Sequence, residues 1–370
     1  MTLCWLILLP AFVYQVLSIA ASLRQFLRQP PLSGFQPPVS IFKPIRGLDP
    51  DMYEALVSHA SQNYPEFEIL FGVYDESDPS VPYIHQLQRE FPDVAISLIV
   101  GAKPAANGKV GTLCALARHA RHPVWLVNDS DIRVTGAYLS EIVAPLADDS
   151  VGLVTCLYRA VPHSLPGYWE ALGISIDFMP STLVAPLVGV REFALGSTLC
   201  FRSADLLKAG GFEALTDYIA DDFQLARRVL RSGTRAHLST HVVETSLSDT
   251  SWSGAWQHQL RWARTIRFSK GWGYLGLPIT HAGVWALAGF ALHIWPAALI
   301  LLLARIAAAV VSGWLVLRIR RPLWEALLAP LWDLYAFSVW VASYLSNEVQ
   351  WRDQRLRILR DGRVEAIPRR

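Results

Sequence analysis

Two apolar blocks lie toward the ends of the chain, and a region of alternating apolar and polar segments lies between them. Residues Leu3 to about Leu23 carry no charge, and a second block runs from His281 to Leu317, broken only by Arg305. Because about 20 apolar residues cross a bilayer, the first block predicts an N-terminal anchor. The second predicts a spanning helix followed by a shorter one. A Trp-rich third block, Pro322 to about Leu345, fits either a spanning or an interfacial helix.

Basic residues flank these blocks. Arg24 and Arg28 follow the first one, so the positive-inside rule places the following region in the cytoplasm. No basic segment or clear cleavage site marks a signal peptide, which favours a retained anchor. The arginine-rich tail Trp351–Arg370 has cytoplasmic character, yet three crossings before it would place it outside. The sequence leaves this side open.

The middle of the chain alternates short apolar runs with helical patterns, which predicts an α/β domain with a mostly parallel sheet. Pro30-Pro31 and Pro37-Pro38 mark the linker before it. The predicted strands are Val39–Phe42, Phe67–Val73, Ala95–Val100 and Val124–Val127, and the predicted helices are Met52–Gln62, Val81–Glu90 and Val110–Ala120. The resulting division is an anchor (1–24), a catalytic domain (36–272), membrane helices (281–346) and a basic tail (347–370).

Composition supports a membrane-associated protein. Of the 370 residues, 52% are hydrophobic and only 17% are charged, which is too apolar for an ordinary soluble enzyme. The net charge of +2 gives no nucleic-acid footprint. The four cysteines are widely spaced, which argues against a disulfide framework or a zinc site.

The most informative junction is where Val124–Val127 runs into Asn128-Asp129-Ser130-Asp131. Ligands bind at the carboxyl ends of strands in α/β sheets, and Mg²⁺ typically takes one or two carboxylates plus substrate phosphates. Asp129 and Asp131 are therefore candidate metal ligands beside a phosphorylated ligand. Because Asn, Asp and Ser also favour Asx-type turns, a purely structural turn remains the alternative.

Other polar residues follow the strands. Lys43, in a basic turn with Arg46 and Gly47, suits phosphate or a solvated turn. Asp75 after the second strand can accept hydrogen bonds from a ribose or a base, or cap its turn. Lys109 lies near the positive end of the third helix, where it suits phosphate contact, although a plain surface lysine is the alternative.

Three later segments complete the pattern. Asp221-Asp222 precede the predicted helix Phe223–Arg231, so one aspartate can serve the helix end and the other can act as a general base. In Trp256–Arg267, three arginines recur at helical spacing, which also fits a basic helix on anionic lipid. Ile174–Val190 is apolar but broken by Asp177 and two prolines. It is expected to be interfacial or buried rather than spanning.

The ordered set of these motifs resembles the family 2/21 glycosyltransferases, and within them the ceramide glucosyltransferase group with its bacterial relatives. The three aspartate sites of that family match Asp75, Asp129 and Asp222. Arg261-Trp262 match the end of its (Gln/Arg)-x-x-Arg-Trp signature. One departure is His258 at the first signature position, with Gln259 next to it. The resemblance covers nearly the whole chain.

The resemblance implies a GT-A fold, a UDP-sugar donor and inversion at the anomeric carbon. Asp75 would hold the uridine, and Asp129 and Asp131 would bind Mg²⁺ or Mn²⁺ at the diphosphate. Asp222 would act as the general base, and Arg261 would stabilise the diphosphate. Trp262 would contact the acceptor or sugar, or anchor at the interface, while His258 can still donate a hydrogen bond.

The expected reaction transfers a sugar, with glucose first, to a membrane lipid hydroxyl, with ceramide first. A hopanoid polyol with UDP-N-acetylglucosamine is the second pairing. A processive polysaccharide synthase would need more membrane helices, and a non-catalytic scaffold would have little reason to retain all three aspartate sites. The expected location is a bacterial inner membrane, with the catalytic domain facing the cytoplasm.

Overall fold

The computed structural model describes residues 6–30, 33–102, 104–247, 251–351 and 354–367. The first residues of the predicted anchor, Pro31 of the linker and parts of the tail lie outside these ranges. Fourteen helices occur in the described ranges: α1 Leu9–Leu27, α2 Met52–Ala60, α3 Val81–Glu90, α4 Gly108–Ala117, α5 Tyr138–Val143, α6 Leu165–Gly173, α7 Met179–Val184, α8 Ser203–Lys208, α9 Asp221–Val229, α10 Trp252–Lys270, α11 Ala282–Ala291, α12 Trp295–Val311, α13 Pro322–Leu327 and α14 Ala329–Ser343.

A seven-stranded sheet forms the centre of the molecule. Its strands are β1 Val39–Pro44, β2 Phe67–Val73, β3 Ala95–Val100, β4 Val124–Val127, β5 Val151–Pro162, β6 Leu199–Arg202 and β7 Arg235–Leu247. Their spatial order is β3-β2-β1-β4-β6-β5-β7. The first four pair in parallel, β6 is antiparallel to both of its neighbours, and β5 and β7 are parallel. The predicted mostly parallel α/β sheet is confirmed.

Strand β4 is apolar throughout because both faces of the sheet are covered there. In β4, Leu126 packs into one buried cluster, whereas Trp125 and Val127 pack into the other. A strand buried on both faces reads as a continuous apolar run rather than an alternating one. This packing explains why Val124–Val127 was recognisable from its sequence.

Element boundaries differ from the predicted ones for local reasons. Strand β1 continues to Pro44, because Lys43 and Pro44 pair with Phe71 and Gly72 of β2. Helix α4 begins at Gly108, two residues early, because the side chain of Asn107 accepts a hydrogen bond from the Val110 amide and so caps the helix.

Several helices bury small or polar residues and expose large apolar ones. Helix α1 buries Gln15 and Ser22 but exposes Val16 and Leu27. Helix α12 behaves alike, with buried alanines and an exposed Leu303. Soluble proteins show the opposite arrangement, with large apolar residues buried and polar residues exposed. Helices packed in lipid, in contrast, place small residues at their contacts. Both helices therefore expose apolar surface.

Two helical stretches in the described ranges are long and apolar enough to cross a membrane. They are Leu165–Val188 and Trp295–Val316. In the first, 56% of the most apolar part is buried inside the protein. Helix α1, within the expected anchor, is not one of the two. The predicted break near Asp177 is a π-helical turn, Ile174–Phe178, between α6 and α7.

A buried ion pair joins this π turn to the C-terminal helices. Arg305 of α12 donates to Asp333 of α14 at 2.7 Å and to the Ile176 carbonyl at 2.7 Å. The charge that interrupts the second apolar block is therefore paired within the helix bundle. Pairing lowers the cost of burying both groups.

Three short strands follow the last helix: β8 Glu348–Trp351, β9 Gln354–Ile358 and β10 Val364–Ala366. They form an antiparallel sheet in the order β10-β9-β8. Residue Arg363, just before β10, pairs antiparallel with Tyr218 of the catalytic region. The C-terminal strands therefore pack on the region that contains the large sheet.

Candidate active site

The carboxylate of Asp129 lies at the end of β4 and faces Lys109 of α4. The Lys109 Nζ is 2.6 Å from Asp129 Oδ1 and 3.4 Å from Asp221 Oδ2. These two carboxylates, and Asp222 further away, outweigh the effect of burial and hold the pKa of Lys109 above its usual range. Lys109 thus joins the second and third aspartate sites predicted from the sequence.

Asp222 lies with Asp221 in the first turn of α9, which begins at Asp221, two residues before the predicted start at Phe223. Burial raises the pKa of Asp222 to about 6; the charge of Asp221 also raises it, whereas Lys109 lowers it. A carboxyl group with a pKa in this range can exchange a proton near neutral pH. Asp222 is therefore suited to general-base chemistry.

Gly196 leaves the space between the two key carboxylates open. A Cβ atom at this position would lie 3.6 Å from Asp222 Oδ2 and 3.7 Å from Asp129 Oδ2. The loop is held beside β4 by Asn128, whose Nδ2 donates to the Ser197 carbonyl at 2.6 Å. The sequence analysis missed Gly196, and no local signal could have revealed it.

Lys43 does not lie in the predicted basic turn. It is part of β1, its side chain is fully buried, and its Nζ donates to the backbone carbonyl of Asp129 at 2.8 Å. Burial lowers the pKa of Lys43 to about 7, although Asp131 and Asp129 oppose this shift. The ammonium therefore supports the loop of Asp129 from inside the protein.

Asp131 accepts a hydrogen bond from the hydroxyl of Thr245 on β7. Burial raises its pKa to about 6, and the charge of Asp129 raises it further. A cation between two such carboxylates would relieve their repulsion. The described residues contain no group of three His, Cys, Asp or Glu side chains that could hold a metal. Asp129 and Asp131 fit an ion that completes its shell with phosphate oxygens and water.

Asp75 is exposed beyond β2, where it shapes its own turn. Its Oδ1 accepts hydrogen bonds from the Ser77 hydroxyl and, at 2.8 Å, from the Ser77 amide. These bonds lower the pKa of Asp75. The turn-capping alternative is thus observed, and the described contacts of Asp75 do not join it to Asp129.

The signature residues lie on α10 and are anchored by a buried glutamate. Glu170 of α6 is 1% exposed, and its Oε1 accepts hydrogen bonds at 2.9 Å from His258 Nδ1 and from Gln259 Nε2. The ring of Trp262 lies 4.9 Å from that of His258. The unusual histidine is therefore paired with a carboxylate, and Arg261 follows on the same helix.

The other arginines of α10 bind protein carbonyls. Arg264 donates to the carbonyl of Glu348, and Arg267 donates to those of Ser343 and Ser346. These two side chains, for which contact with anionic lipid was the alternative, therefore bind the C-terminal segment.

Tyr158 of β5 lies between the aspartates and α10. Its ring centroid is 6.1 Å from that of Phe178, which in turn contacts Trp262. Burial raises the pKa of its hydroxyl, and four nearby carboxylates raise it further: Asp222, Asp129, Asp131 and Glu170. Sequence reasoning missed both Tyr158 and Glu170, although Glu170 is the first charged residue in an apolar stretch.

Known proteins are similar to this chain in sequence and in fold. A ceramide glucosyltransferase from Caenorhabditis elegans is 28% identical over 218 residues, covering 58% of this chain and 47% of that protein. One from Candida albicans is 31% identical over 121 residues, covering 29% of this chain and 22% of that one. The chain spans about half the length of the C. elegans relatives.

A solved structure supports the GT-A fold. The mannosyltransferase of Pyrobaculum calidifontis, in complex with GDP-Man and Mn²⁺, aligns with a TM-score of 0.55 and 21% identity, covering 91% of this chain and 99% of that one. The sequence model of glycosyl transferase family 21 matches residues 3–364 of the chain. The chain belongs to glycosyl transferase family 21.

Proposed function

We propose that this protein is an inverting glycosyltransferase that moves glucose from UDP-glucose to the hydroxyl of a membrane lipid, with ceramide as the first candidate. The observation that carries the proposal is the meeting of Asp129, Lys109 and Asp222 around Gly196. Family membership and the ceramide glucosyltransferase relatives support the choice of reaction.

On the donor side, Asp129 and Asp131 hold Mg²⁺ or Mn²⁺, which when bound neutralises negative charge on the leaving UDP. Lys109 and Arg261 supply fixed positive charge to the diphosphate, and guanidinium can bind phosphate in a bidentate manner. Asp75 receives the uridine once its turn admits the nucleotide. Lys43 contributes from beneath by holding the Asp129 backbone.

On the acceptor side, Asp222 removes the proton from the lipid hydroxyl. The hydroxyl oxygen then forms a bond to the anomeric carbon while the bond from that carbon to the UDP oxygen breaks on the opposite face. This geometry inverts the anomeric configuration. General-base assistance of this kind contributes about 10²–10⁴ in rate.

A lipid acceptor is supported by the position of α10, which is followed, after residues Gly271–Thr280, by α11 and α12, two helices that expose apolar side chains. His258 holds Trp262, and Trp262 contacts the acceptor or the sugar. In the proposed organisation, residues 1–24 anchor the chain, residues 36–272 form a cytoplasmic catalytic domain, residues 281–346 contact the bilayer and residues 347–370 form the tail. The proposed location is a bacterial inner membrane.

Product analysis tests this proposal. The protein, reconstituted in vesicles with Mn²⁺, is offered ceramide or a hopanoid polyol with UDP-glucose or UDP-N-acetylglucosamine, and the lipids are analysed by mass spectrometry. We expect glucosylceramide, and we expect a chelator to abolish its formation. Glycosylation of the hopanoid alone would replace the assigned substrates, and full activity in chelator would contradict the metal role of Asp129 and Asp131.

A further inference from the structure

The C-terminal sheet, formed by β8, β9 and β10, packs against the loops of the proposed active site. Its buried apolar residues Val349, Leu356, Ile358 and Val364 form one cluster with Ile219. Ala106, three residues before Lys109, packs against the same cluster. A single small sheet therefore contacts both the segment before Asp222 and the segment before Lys109.

Backbone hydrogen bonds connect the sheet to these two segments. The Val364 amide donates to the Asp217 carbonyl at 2.7 Å. Asn107 contacts the residues on either side of Asp217. The backbone amide of Asn107 donates to the Thr216 carbonyl at 2.9 Å, and the Asn107 side-chain Nδ2 donates to the Tyr218 carbonyl at 2.8 Å. Because Asn107 also caps α4, the chain of contacts runs from Val364 to the helix that carries Lys109.

Side chains hold the same loop. The ring of Tyr218 is contacted by two guanidinium groups, with Arg228 Cζ 5.4 Å and Arg363 Cζ 5.8 Å from its centroid. Cation–π contacts of this kind favour one ring orientation. Tyr218 lies only a few residues before Asp221 and Asp222, so its placement sets where α9 begins.

We infer that the C-terminal sheet is a positioning element of the active site, with Val364 and Arg363 holding the 216–220 loop so that Asp221 contacts Lys109 and Asp222 lies beside them. The inference rests on the proposed function, which assigns these two residues to the transfer. A misplacement of about 1 Å can cost an enzyme about 10²-fold in rate. The contacts of Val364 and Arg363 with this loop are therefore expected to set the rate of transfer.

The test uses full-length variants with transfer from UDP-glucose to ceramide as the readout. Val364→Pro removes the amide that donates to Asp217, and proline is tolerated on an edge strand when its nitrogen faces away from the ladder. Arg363→Ala removes only a side chain, and Glu365→Ala on the exposed side of the same strand is the matched control. Titration with UDP and Mn²⁺ counts folded sites, so that kcat is expressed per binding site.

We expect Val364→Pro to lower kcat per site about tenfold or more, with the KM for ceramide unchanged within about twofold. Arg363→Ala should lower kcat about two- to fivefold, Arg363→Lys should recover most of this loss, and Glu365→Ala should match the wild type. If Val364→Pro does not fold, the comparison of kcat between Arg363→Ala and Arg363→Lys tests the inference. Wild-type kcat per site in both variants would overturn the inference, whereas an inactive wild type would contradict the proposed function instead.

Discussion

At the scale of single residues, the site is a balance of charges in a partly buried space. Asp129, Asp221 and Asp222 gather around Lys109, whose side chain is 18% exposed. Besides burial, the charges of Asp221 and Asp129 raise the pKa of Asp222, and Lys109 opposes this effect. The protonation state of Asp222 therefore depends on Lys109, although Lys109 is proposed to act on the donor.

This balance predicts a pH dependence. Since a general base must be deprotonated and the pKa of Asp222 is raised to about 6, kcat should fall as the pH decreases through about 6. Lys109→Gln removes an influence that lowers this pKa, so the acidic limb should move to higher pH. The measurement is kcat at saturating donor against pH, with the exposed Lys208→Gln as control. A limb that stays in place or moves to lower pH would contradict the coupling.

At the scale of elements, α10 is fixed by partners far away in the sequence. Glu170 binds its first half, and the carbonyls of Glu348 and Ser343 bind Arg264 and Arg267 in its second half. These contacts fix the position of the helix that carries Arg261 and Trp262.

Glu170→Leu should destabilise the protein because it leaves the donors of His258 and Gln259 without their acceptor. A hydrogen bond to a charged group contributes about 1.5–3 kcal/mol, so a lower melting temperature in detergent is expected, together with reduced transfer. Glu54→Leu, at an exposed position of α2, is the control. An unchanged melting temperature would show that Glu170 does not anchor α10.

The sequence was sufficient for features that local pattern determines. The strands Phe67–Val73, Ala95–Val100 and Val124–Val127 were predicted with their exact bounds, since each is a short apolar run ended by polar turn residues. Asp129, Lys109 and Asp222 were correctly placed at strand and helix ends. That these three residues lie close together in space is a finding of the structure.

What the sequence could not reveal depends on pairing between distant segments. The burial of Lys43 follows from the extension of β1 beside β2, and the position of Gly196 follows from a loop that Asn128 holds. The partner of His258 lies 88 residues away. No periodicity or spacing encodes such contacts, so sequence reasoning placed Lys43 in a basic turn suited to phosphate or to solvent.

At the scale of the whole molecule, the C-terminal sheet packs against the catalytic region. This follows from the pairing of Arg363 with Tyr218 and from the C-terminal sheet on the 216–220 loop. An even number of membrane crossings between residues 281 and 346, or none, satisfies this arrangement.

Cysteine labelling tests the arrangement. Arg360→Cys in the tail and Glu54→Cys on the catalytic domain, both at exposed positions, should react with a membrane-impermeant maleimide in vesicles of the same orientation. Labelling is measured relative to the wild-type chain. Reaction of the two positions from opposite sides would contradict the packing of the tail on the catalytic region.

The central claim is that Asp222 is the base in a transfer of glucose to ceramide, and Asp222→Asn tests it most directly. The measurement is the rate of glucosylceramide formation per site that binds UDP with Mn²⁺. The account predicts a rate lowered about 10²–10⁴-fold, with nucleotide binding retained because Asp129, Asp131 and Lys109 remain. A variant that transfers glucose at the wild-type rate would contradict it.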